Sequence, residues 1–206
     1  MSDYHERLWA QLPQGLEPSH FALRRRFLLA HVAAGERVLD VGCGEGAFSA
    51  ALALAGARPV GVEVAEEPLR RARALHPELE FRAVDMDGGW KLDDASFDAV
   101  WAGEVIEHVL DTAAWLSEVR RTLRSGGKLL LSTPAHGPLT LLGLALRPRA
   151  FAARLDPRSD HLRFYNARSL AELVADFGFE QVRVRGAAGP PGARRVLLLS
   201  AVRSRY

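Results

Sequence analysis

The sequence has 206 residues, of which 48% are hydrophobic, and its 27 Lys and Arg nearly balance its 25 Asp and Glu to a formal net charge of +2. These values are typical of a soluble globular protein with one domain, and they argue against an extended basic surface for nucleic acid. The single cysteine cannot form a disulfide within the chain, and no apolar run reaches the ~18 residues that a membrane-spanning helix needs. We therefore expect a cytoplasmic protein, a monomer or a homodimer, with no membrane span and no nucleic-acid partner.

Helical and strand patterns alternate between residues 17 and 133. Helices are predicted over residues 20–34, 47–55, 66–75 and 112–123, and strands over residues 37–41, 58–63, 80–84, 97–102 and 126–133. Alternation of this kind requires crossover connections, so it predicts a parallel sheet that is covered by helices on both faces.

The end of the chain follows a different pattern. A predicted helix over residues 169–177 precedes two β-rich segments, 179–185 and 195–203, which are separated only by the loop "GAAGPPGA". This loop is too short and too rich in Gly and Pro for a crossover helix, so the two strands must pair as an antiparallel hairpin. The predicted fold class is therefore α/β: a Rossmann-like, doubly wound sheet of seven strands, mostly parallel, with a C-terminal antiparallel hairpin.

Two segments lie outside this pattern. Residues 1–16 are either a lid or a flexible segment in front of a domain formed by residues 17–206. Residues 134–160 are an insertion after the fifth strand, at the edge of the sheet where open α/β folds bind their ligands. The apolar run "PLTLLGLAL" within the insertion is either part of a pocket for a lipophilic ligand or a core or dimer helix.

The stretch "VLDVGCGEG" predicts a nucleotide-binding turn. Gly42, Gly44 and Gly46 follow the first predicted strand and precede a helix. Glycine in this position allows positive φ angles and the close approach of a ligand to the backbone. Glu63 ends the second predicted strand, about 20 residues further on, where a carboxylate suits the hydroxyl groups of a ribose.

The same loop also satisfies the relaxed G-x-G-x-x-G/A spacing of NAD-binding proteins, so an NAD-dependent oxidoreductase is one alternative. Three features oppose it. Gly46 adds a third glycine at tighter spacing, Asp40 and Glu45 are poor neighbours for a pyrophosphate, and a terminal hairpin does not belong to a dinucleotide-binding domain. These acids favour a cationic ligand.

Six motifs together resemble those of the class I S-adenosylmethionine-dependent methyltransferases. They are "VLDVGCGEG", "GVEVA", "AVDMDG", "FDAVWAGEVIEHV", "LRSGGKLLLSTP" and the closing hairpin. The resemblance covers roughly residues 35–203. It implies a small-molecule methyltransferase with S-adenosylmethionine as cofactor, which methylates an oxygen or nitrogen atom in preference to carbon. The apolar run "PLTLLGLAL" favours a lipophilic or aromatic acceptor. A cofactor-binding member of the fold without catalysis is the other alternative.

The resemblance assigns the methionine part of the cofactor to the glycine loop. Gly42, Gly44 and Gly46 would let the loop wrap this part, and Cys43 lies within the loop. Asp40 would act on the ammonium side, directly or through water.

The remaining cofactor contacts are implied at the ends of the next strands. Glu63 would hold the ribose hydroxyls, and Val64 would pack near the adenine. Asp85 would accept a hydrogen bond from the adenine amino group, with Met86 against the ring. Gly103, after the fourth predicted strand, would line the cofactor.

The segment "GEVIEHV" places Glu104, Glu107 and His108 at helical spacing. It is similar to the E-x-x-E-H of ubiquinone-biosynthesis O-methyltransferases, where those residues are associated with a magnesium site. A divalent metal at these three residues is one hypothesis. His108 as a catalytic base or substrate contact is a second hypothesis, and a structural role is a third.

Other candidate residues lie at the predicted catalytic end of the sheet. His136 follows the fifth predicted strand and is a second catalytic candidate. His161 and Tyr165, in "DHLRFYNARSL", are candidates for substrate contact, with fixing of the loop as the alternative for His161. Tyr4 and Trp9 become substrate candidates if residues 1–16 fold over the site.

Overall fold

A seven-stranded sheet forms the centre of the fold. The computed structural model describes residues 2–85, 89–154, 156 and 159–205. The strands are β1 Arg37–Val41, β2 Arg58–Glu63, β3 Glu80–Ala83, β4 Phe97–Gly103, β5 Leu123–Pro134, β6 Phe179–Ala187 and β7 Val196–Arg203. Their order across the sheet is β3-β2-β1-β4-β5-β7-β6.

The strand directions confirm the predicted fold class. Strands β1 to β5 run parallel to one another, and β7 runs antiparallel to both of its neighbours, β5 and β6. The chain moves outward from β1 through β2 and β3, and it then returns to the other side of β1 to form β4. A reversal of strand order leaves a crevice beyond the carboxyl ends of the two central strands, where ligands of such folds bind.

Helices connect and flank these strands. In the described residues they are α1 Ser2–Gln11, α2 Phe21–Leu29, α3 Ala47–Leu54, α4 Glu66–Leu75, α5 Thr112–Thr122, α6 Pro138–Ala145, α7 Pro148–Arg154 and α8 Ala167–Asp176. Within this described part, no helix has both the length and the apolar content that crossing a membrane requires.

The apolar core lies on both faces of the sheet. Side chains alternate along a strand, so neighbouring leucines of β5 point to opposite faces. Leu129 and Leu131 belong to a buried cluster with Trp115 of α5. Leu130 belongs to a second buried cluster, with Phe27 of α2. The sheet is therefore covered on both sides, as its nearly continuous hydrophobic strands predict.

One helix is shorter than predicted, and the insertion has helices of its own. The helix predicted over residues 20–34 ends at Leu29, because the chain turns there and His31 Nδ1 donates to Phe27 O at 2.8 Å. The insertion after β5 contains two short helices, α6 and α7, and leads back to the fold at Asn166. The side chain of Asn166 caps α8 by accepting a hydrogen bond from Ser169 N at 2.9 Å.

Candidate active site

The loop after β1 is a tight glycine turn. The backbone N–H groups of Gly42 and Cys43 donate to Val62 O of β2, at 2.8 and 3.1 Å. Gly42 and Gly44 have φ angles of +66° and +53°, in the left-handed region. A β-carbon on Gly42 would lie only 2.6 Å from Cγ2 of Val105. The turn therefore requires glycine at Gly42 for both conformation and space.

A cavity with a volume of about 360 Å³ opens at this loop, within the range of about 300–1,000 Å³ that is usual for small-ligand sites. Its walls come from the loop, the carboxyl ends of β2 and β4, and parts of α1 and α2. The cavity therefore lies in the crevice that the strand order predicts. The predicted cofactor residues that line it are Gly42, Cys43, Gly44, Glu63, Val64 and Gly103.

Glu63 connects the end of β2 to the glycine loop. Its Oε1 accepts a hydrogen bond from Val64 N at 2.8 Å, and its Oε2 accepts one from Gly44 N at 3.2 Å. Burial raises the pKa of this carboxyl group, and the backbone hydrogen bonds oppose that shift. Because a carboxylate offers about four acceptor positions, Glu63 can also accept from hydroxyl groups of a ligand in the cavity.

Asp40 supports the loop from below. It is buried, it does not line the cavity, and its Oδ2 accepts a hydrogen bond of 2.6 Å from Ser49 Oγ of α3. Burial raises the pKa of Asp40 to about 7. The side chain predicted to act on an ammonium group is therefore held by α3 in this structure.

The other predicted cofactor residues also lie outside the cavity lining. Gly46 faces the core, because a β-carbon there would lie 2.8 Å from Cζ of Phe81. Asp85 is exposed just after the end of β3. Met86 lies outside the described residues.

Arg24 is a cavity residue that the sequence prediction missed. The side chain is 2% exposed, lies over the rings of Phe48 and Trp101, and donates from Nη1 to Ser19 O at 3.0 Å. Its Nε has no hydrogen-bond partner among the described residues. Burial lowers the pKa of this guanidinium, and Glu104 is the largest opposing charge. Arg24 is therefore a buried cation in the cavity, and its Nε–H can still donate a hydrogen bond.

A signal for Arg24 was present in the sequence. "RRR" is typical of a solvated helix face, and Arg25 and Arg26 are indeed exposed. The helical spacing, however, places Arg24 three residues after Phe21 and four before Leu28, on the apolar face.

Helix α1 forms the roof of the cavity. A β-carbon on Gly44 would lie 3.0 Å from Cη2 of Trp9, so the indole rests on the glycine loop. Arg71 of α4 holds the end of this segment: Nη2 donates to Trp9 O at 2.9 Å and Nη1 to Leu12 O at 3.1 Å. The same guanidinium pairs with Glu45 of the loop at 2.9 Å. One arginine thus joins α1, α4 and the loop.

His108, one of the two histidines predicted to be catalytic, lines the same cavity. His108 Nδ1 lies 3.0 Å from Asp160 O and 3.4 Å from Asp160 Oδ2. Because a carbonyl oxygen only accepts, this contact places the proton on Nδ1 and leaves Nε2 as the acceptor nitrogen. Edge-to-face contacts join the ring to His161, at 4.8 Å between centroids, and to His5 of α1, at 6.3 Å.

The predicted metal residues do not converge as a set. Glu104, with a φ angle of +60°, accepts a hydrogen bond from Ser132 Oγ at 2.9 Å. In the described residues, the candidate ligand atoms that come within 4.8 Å of one another belong to Glu107, His108 and His161. Burial, followed by the charge of Glu104, raises the pKa of Glu107 to about 8. Glu104 is thus not part of the group that Glu107 and His108 form with His161.

Of the remaining predicted residues, Trp9 lines the cavity, whereas Tyr4, His136, His161 and Tyr165 are not among its lining residues. His136 is buried at the end of β5, where its N–H donates to Tyr165 O at 2.9 Å and its ring meets Phe164. Tyr165 is buried, which raises the pKa of its phenol to about 12. Tyr4 is exposed and packs edge-to-face on His5. His161 contacts His108, and Trp9 is the predicted substrate residue that lines the cavity.

The family model described as "Methyltransferase domain" matches residues 6–184, from α1 into β6. The chain belongs to this methyltransferase family. A ubiquinone biosynthesis O-methyltransferase from Xanthomonas oryzae pv. oryzae is 34% identical over 180 residues, which are 84% of this methyltransferase and 74% of the relative. A protein from Mycolicibacterium smegmatis, described as a probable S-adenosylmethionine-dependent methyltransferase, is 35% identical over 171 residues. Those residues are 81% of this chain and 62% of that relative, so the chain spans less than two thirds of its length.

Solved structures share the fold of this methyltransferase. An S-adenosylmethionine-dependent methyltransferase from Mesorhizobium loti has a TM-score of 0.71 at 22% identity, covering 90% of this chain and 98% of that one. Phosphoethanolamine N-methyltransferase 2 from Haemonchus contortus, in complex with S-adenosyl-L-methionine, has a TM-score of 0.70 at 18% identity, covering 95% of this chain and 55% of that one. Likeness at this level of identity shows the fold, and the methyltransferase family that the motifs predict is confirmed by the family model and the relatives.

Proposed function

We propose that this methyltransferase methylates an oxygen or nitrogen atom of a small lipophilic or aromatic molecule. The observation that carries the proposal is that one cavity joins the glycine loop to the imidazole of His108. A cofactor at the loop and an acceptor at the histidine would thus share one enclosed space.

The residues of the cavity fit S-adenosylmethionine. The glycine turn has no room for a β-carbon at Gly42, Glu63 has acceptor positions for ribose hydroxyls, and Arg24 has an unpartnered buried N–H. We assign the carboxylate of the methionine part to Arg24, because a buried guanidinium is best satisfied by an anion. S-adenosylmethionine supplies a methyl carbon that its sulfonium makes reactive.

His108 is proposed as the base. The contact with Asp160 fixes its ring and leaves Nε2 able to take a proton from an acceptor hydroxyl or ammonium group. The Asp160 carboxylate, 3.4 Å from Nδ1, would stabilise the imidazolium that forms. His161 packs edge-to-face on the same ring and would hold its orientation.

A lipophilic acceptor is supported by the apolar walls of the cavity. Leu8, Leu12, Val105 and Val109 line it. The relatives include ubiquinone biosynthesis O-methyltransferases, which supports oxygen as the methylated atom.

Residues 1–16 are proposed to act as a lid. Trp9 and His5 of α1 both line the cavity, so ligands cannot enter or leave through the roof while α1 is in place. Opening requires that the Arg71 contacts break.

The test is transfer of labelled methyl from S-adenosylmethionine to a panel of catechols, phenols and lipophilic amines, read by mass spectrometry. We expect a methylated phenol or catechol, with kcat reduced about a hundredfold in His108→Gln, within the range of general-base effects. His31→Gln, at the end of α2, is the control. Binding of S-adenosylmethionine without product from any acceptor would instead favour a non-catalytic member of the fold.

A further inference from the structure

Glu104, which directly follows β4, is held in an unfavourable backbone conformation. Its φ angle of +60° lies in the left-handed region, which is costly for a residue that has a β-carbon. Ser132 of β5 fixes this conformation with two contacts: Glu104 N donates to Ser132 O at 2.9 Å, and Ser132 Oγ donates to Glu104 Oε1 at 2.9 Å. Of the described residues other than glycine that have positive φ angles, Glu104 is the one that lines the cavity. Strain that the surroundings maintain in this way is typical of a functional site.

The carboxylate of Glu104 has acceptor positions that the protein does not use. Among the described residues, the hydrogen bond from Ser132 Oγ is the one that this carboxylate accepts, and a carboxylate offers about four positions. The neighbouring acid, Glu107, differs: it is 1% exposed, does not line the cavity and accepts from Thr133 Oγ1 at 2.9 Å. A ligand in the cavity can therefore reach the carboxylate of Glu104 but not that of Glu107.

Arg24 lies beside the backbone that carries this carboxylate. Its Nη2 packs so closely against Gly103, the residue before Glu104, that a β-carbon on Gly103 would overlap it. The two charged side chains nevertheless have other partners in the described part of the chain, since Arg24 donates to Ser19 O and Glu104 accepts from Ser132 Oγ. Arg24 Nε has no hydrogen-bond partner there. A cation and an anion that are not paired with each other thus line the same part of the cavity.

The methionine part of S-adenosylmethionine carries an ammonium and a carboxylate on one carbon atom. A site for it therefore needs an anion and a cation that lie close together and are both free to form charge-assisted hydrogen bonds. We infer that Glu104 binds the ammonium group, beside Arg24, which binds the carboxylate. The inference rests on the proposed binding of the cofactor in this cavity. Asp40, to which the family resemblance assigns the ammonium, is buried and does not line the cavity.

The other carboxylates of the cavity lining are less suited to this group. Glu63 is assigned to the ribose, and Glu45 pairs with Arg71 at 2.9 Å. Asp160 Oδ2 lies 3.4 Å from Nδ1 of the imidazole that is proposed as the base. Glu17 is exposed, in the segment between α1 and α2. Glu104 combines a free carboxylate oxygen with the neighbourhood of the buried guanidinium.

The test is calorimetric titration of the full chain with three ligands that differ in their charged groups. S-adenosylhomocysteine has both the ammonium and the carboxylate, S-adenosyl-3-thiopropylamine has the ammonium alone, and 5′-methylthioadenosine has neither. Glu104→Gln keeps an acceptor for Ser132 Oγ, and Glu104→Gly suits the φ angle of +60°, so both variants should fold.

Both Glu104 variants should bind the first two ligands about tenfold or more weakly than the wild type, as expected for the loss of a charge-assisted hydrogen bond. Their affinity for 5′-methylthioadenosine should be unchanged. Arg24→Gln should weaken the binding of S-adenosylhomocysteine alone. Glu17→Gln is the matched control, since it removes an exposed carboxylate from the same cavity lining, and it should bind all three ligands as the wild type does.

Wild-type affinity for S-adenosylhomocysteine in both Glu104 variants would overturn the inference and leave the proposed function untouched. An equal loss of affinity for 5′-methylthioadenosine would also overturn it, because the substitution would then act on the glycine loop or on the ribose site. A wild-type protein that binds none of the three ligands would contradict the proposed cofactor site itself, and the inference with it.

Discussion

The indole of Trp9 lies against Gly44 of the glycine loop: a β-carbon on Gly44 would lie 3.0 Å from Cη2 of the indole. Helix α1 thus contacts the loop that we propose binds the cofactor. Any side chain at Gly44 must displace Trp9 and must also adopt a φ angle of +53°.

Gly44→Ala is therefore expected to weaken the binding of S-adenosylmethionine at least tenfold, measured by calorimetric titration. Gly35→Ala is the matched control: Gly35 has a φ angle of +83°, but a β-carbon there would meet nothing within 4 Å. Both substitutions should cost about 1–2 kcal/mol of stability for the left-handed conformation. Affinity should fall only in Gly44→Ala, and an equal fall in both variants would show that backbone strain alone is responsible.

Glu63→Gln is expected to weaken S-adenosylmethionine binding at least tenfold and to flatten its pH dependence. In the wild type, burial raises the pKa of Glu63, so acidification protonates the carboxylate and removes an acceptor for ribose hydroxyls. Affinity should then fall from pH 8 to pH 5, whereas the amide should show no such slope. Calorimetric titration at four pH values measures this, with exposed Glu180→Gln as the control.

Arg71→Gln should loosen α1 without unfolding the domain. The variant loses the hydrogen bonds to Trp9 O and Leu12 O and the ion pair with Glu45. Hydrogen exchange in residues 4–12 should become at least tenfold faster, because opening of this segment costs less. Arg70→Gln is the control, since Arg70 pairs with Glu67 at the surface of the same helix. Unchanged exchange in Arg71→Gln would mean that the side-chain packing of α1 suffices to hold it.

Glu107→Gln should stabilise the protein at high pH. Burial raises the pKa of Glu107 from its ordinary value of 4.5 to about 8. The folded state therefore binds a proton that the unfolded state has lost, so stability is full below pH 4.5 and falls as the pH rises towards about 8. The amide keeps an acceptor for Thr133 Oγ1 and cannot ionise.

The free energy of unfolding of Glu107→Gln, relative to wild type, should rise between pH 5 and pH 9 by a few kcal/mol at most, roughly 1.4 kcal/mol per unit of pKa shift. Denaturant titration at the two pH values measures it. Glu172→Gln, whose carboxylate is exposed in an ion pair with Arg168, should show little change. If the free energies of unfolding of the variant and the wild type differed by the same amount at pH 5 and pH 9, Glu107 would not be a buried carboxyl with a raised pKa.

The sheet and the glycine loop could be predicted because local signals determine them. Nearly continuous apolar strand segments, breaker residues and the spacing of Gly42, Gly44 and Gly46 can all be recognised along the chain. The antiparallel hairpin could be predicted because the loop between its two strands is too short for a crossover helix.

Contacts between distant segments could not be predicted in the same way. Arg24 enters the cavity only because α2 packs against Trp101 of β4. His161 meets His108 only because the chain returns from the insertion at Asp160. Asp40 is held by Ser49 rather than facing the cavity, which depends on how α3 docks beneath the loop. Helical spacing places Arg24 on the apolar face of α2, but the partners of all three side chains are set by tertiary packing and cannot be read along the sequence.

The two outer strands of the sheet have a consequence for the behaviour of the protein at high concentration. Strand β3 has only four residues. In β6, Gln181 has a φ angle of +51° and the pairing shifts between Glu180 and Arg183, while Arg183 and Arg185 are exposed. A short strand, an irregularity and surface charge each oppose the addition of a strand from another molecule. The sheet thus ends on both sides in segments that resist polymerisation into fibrils.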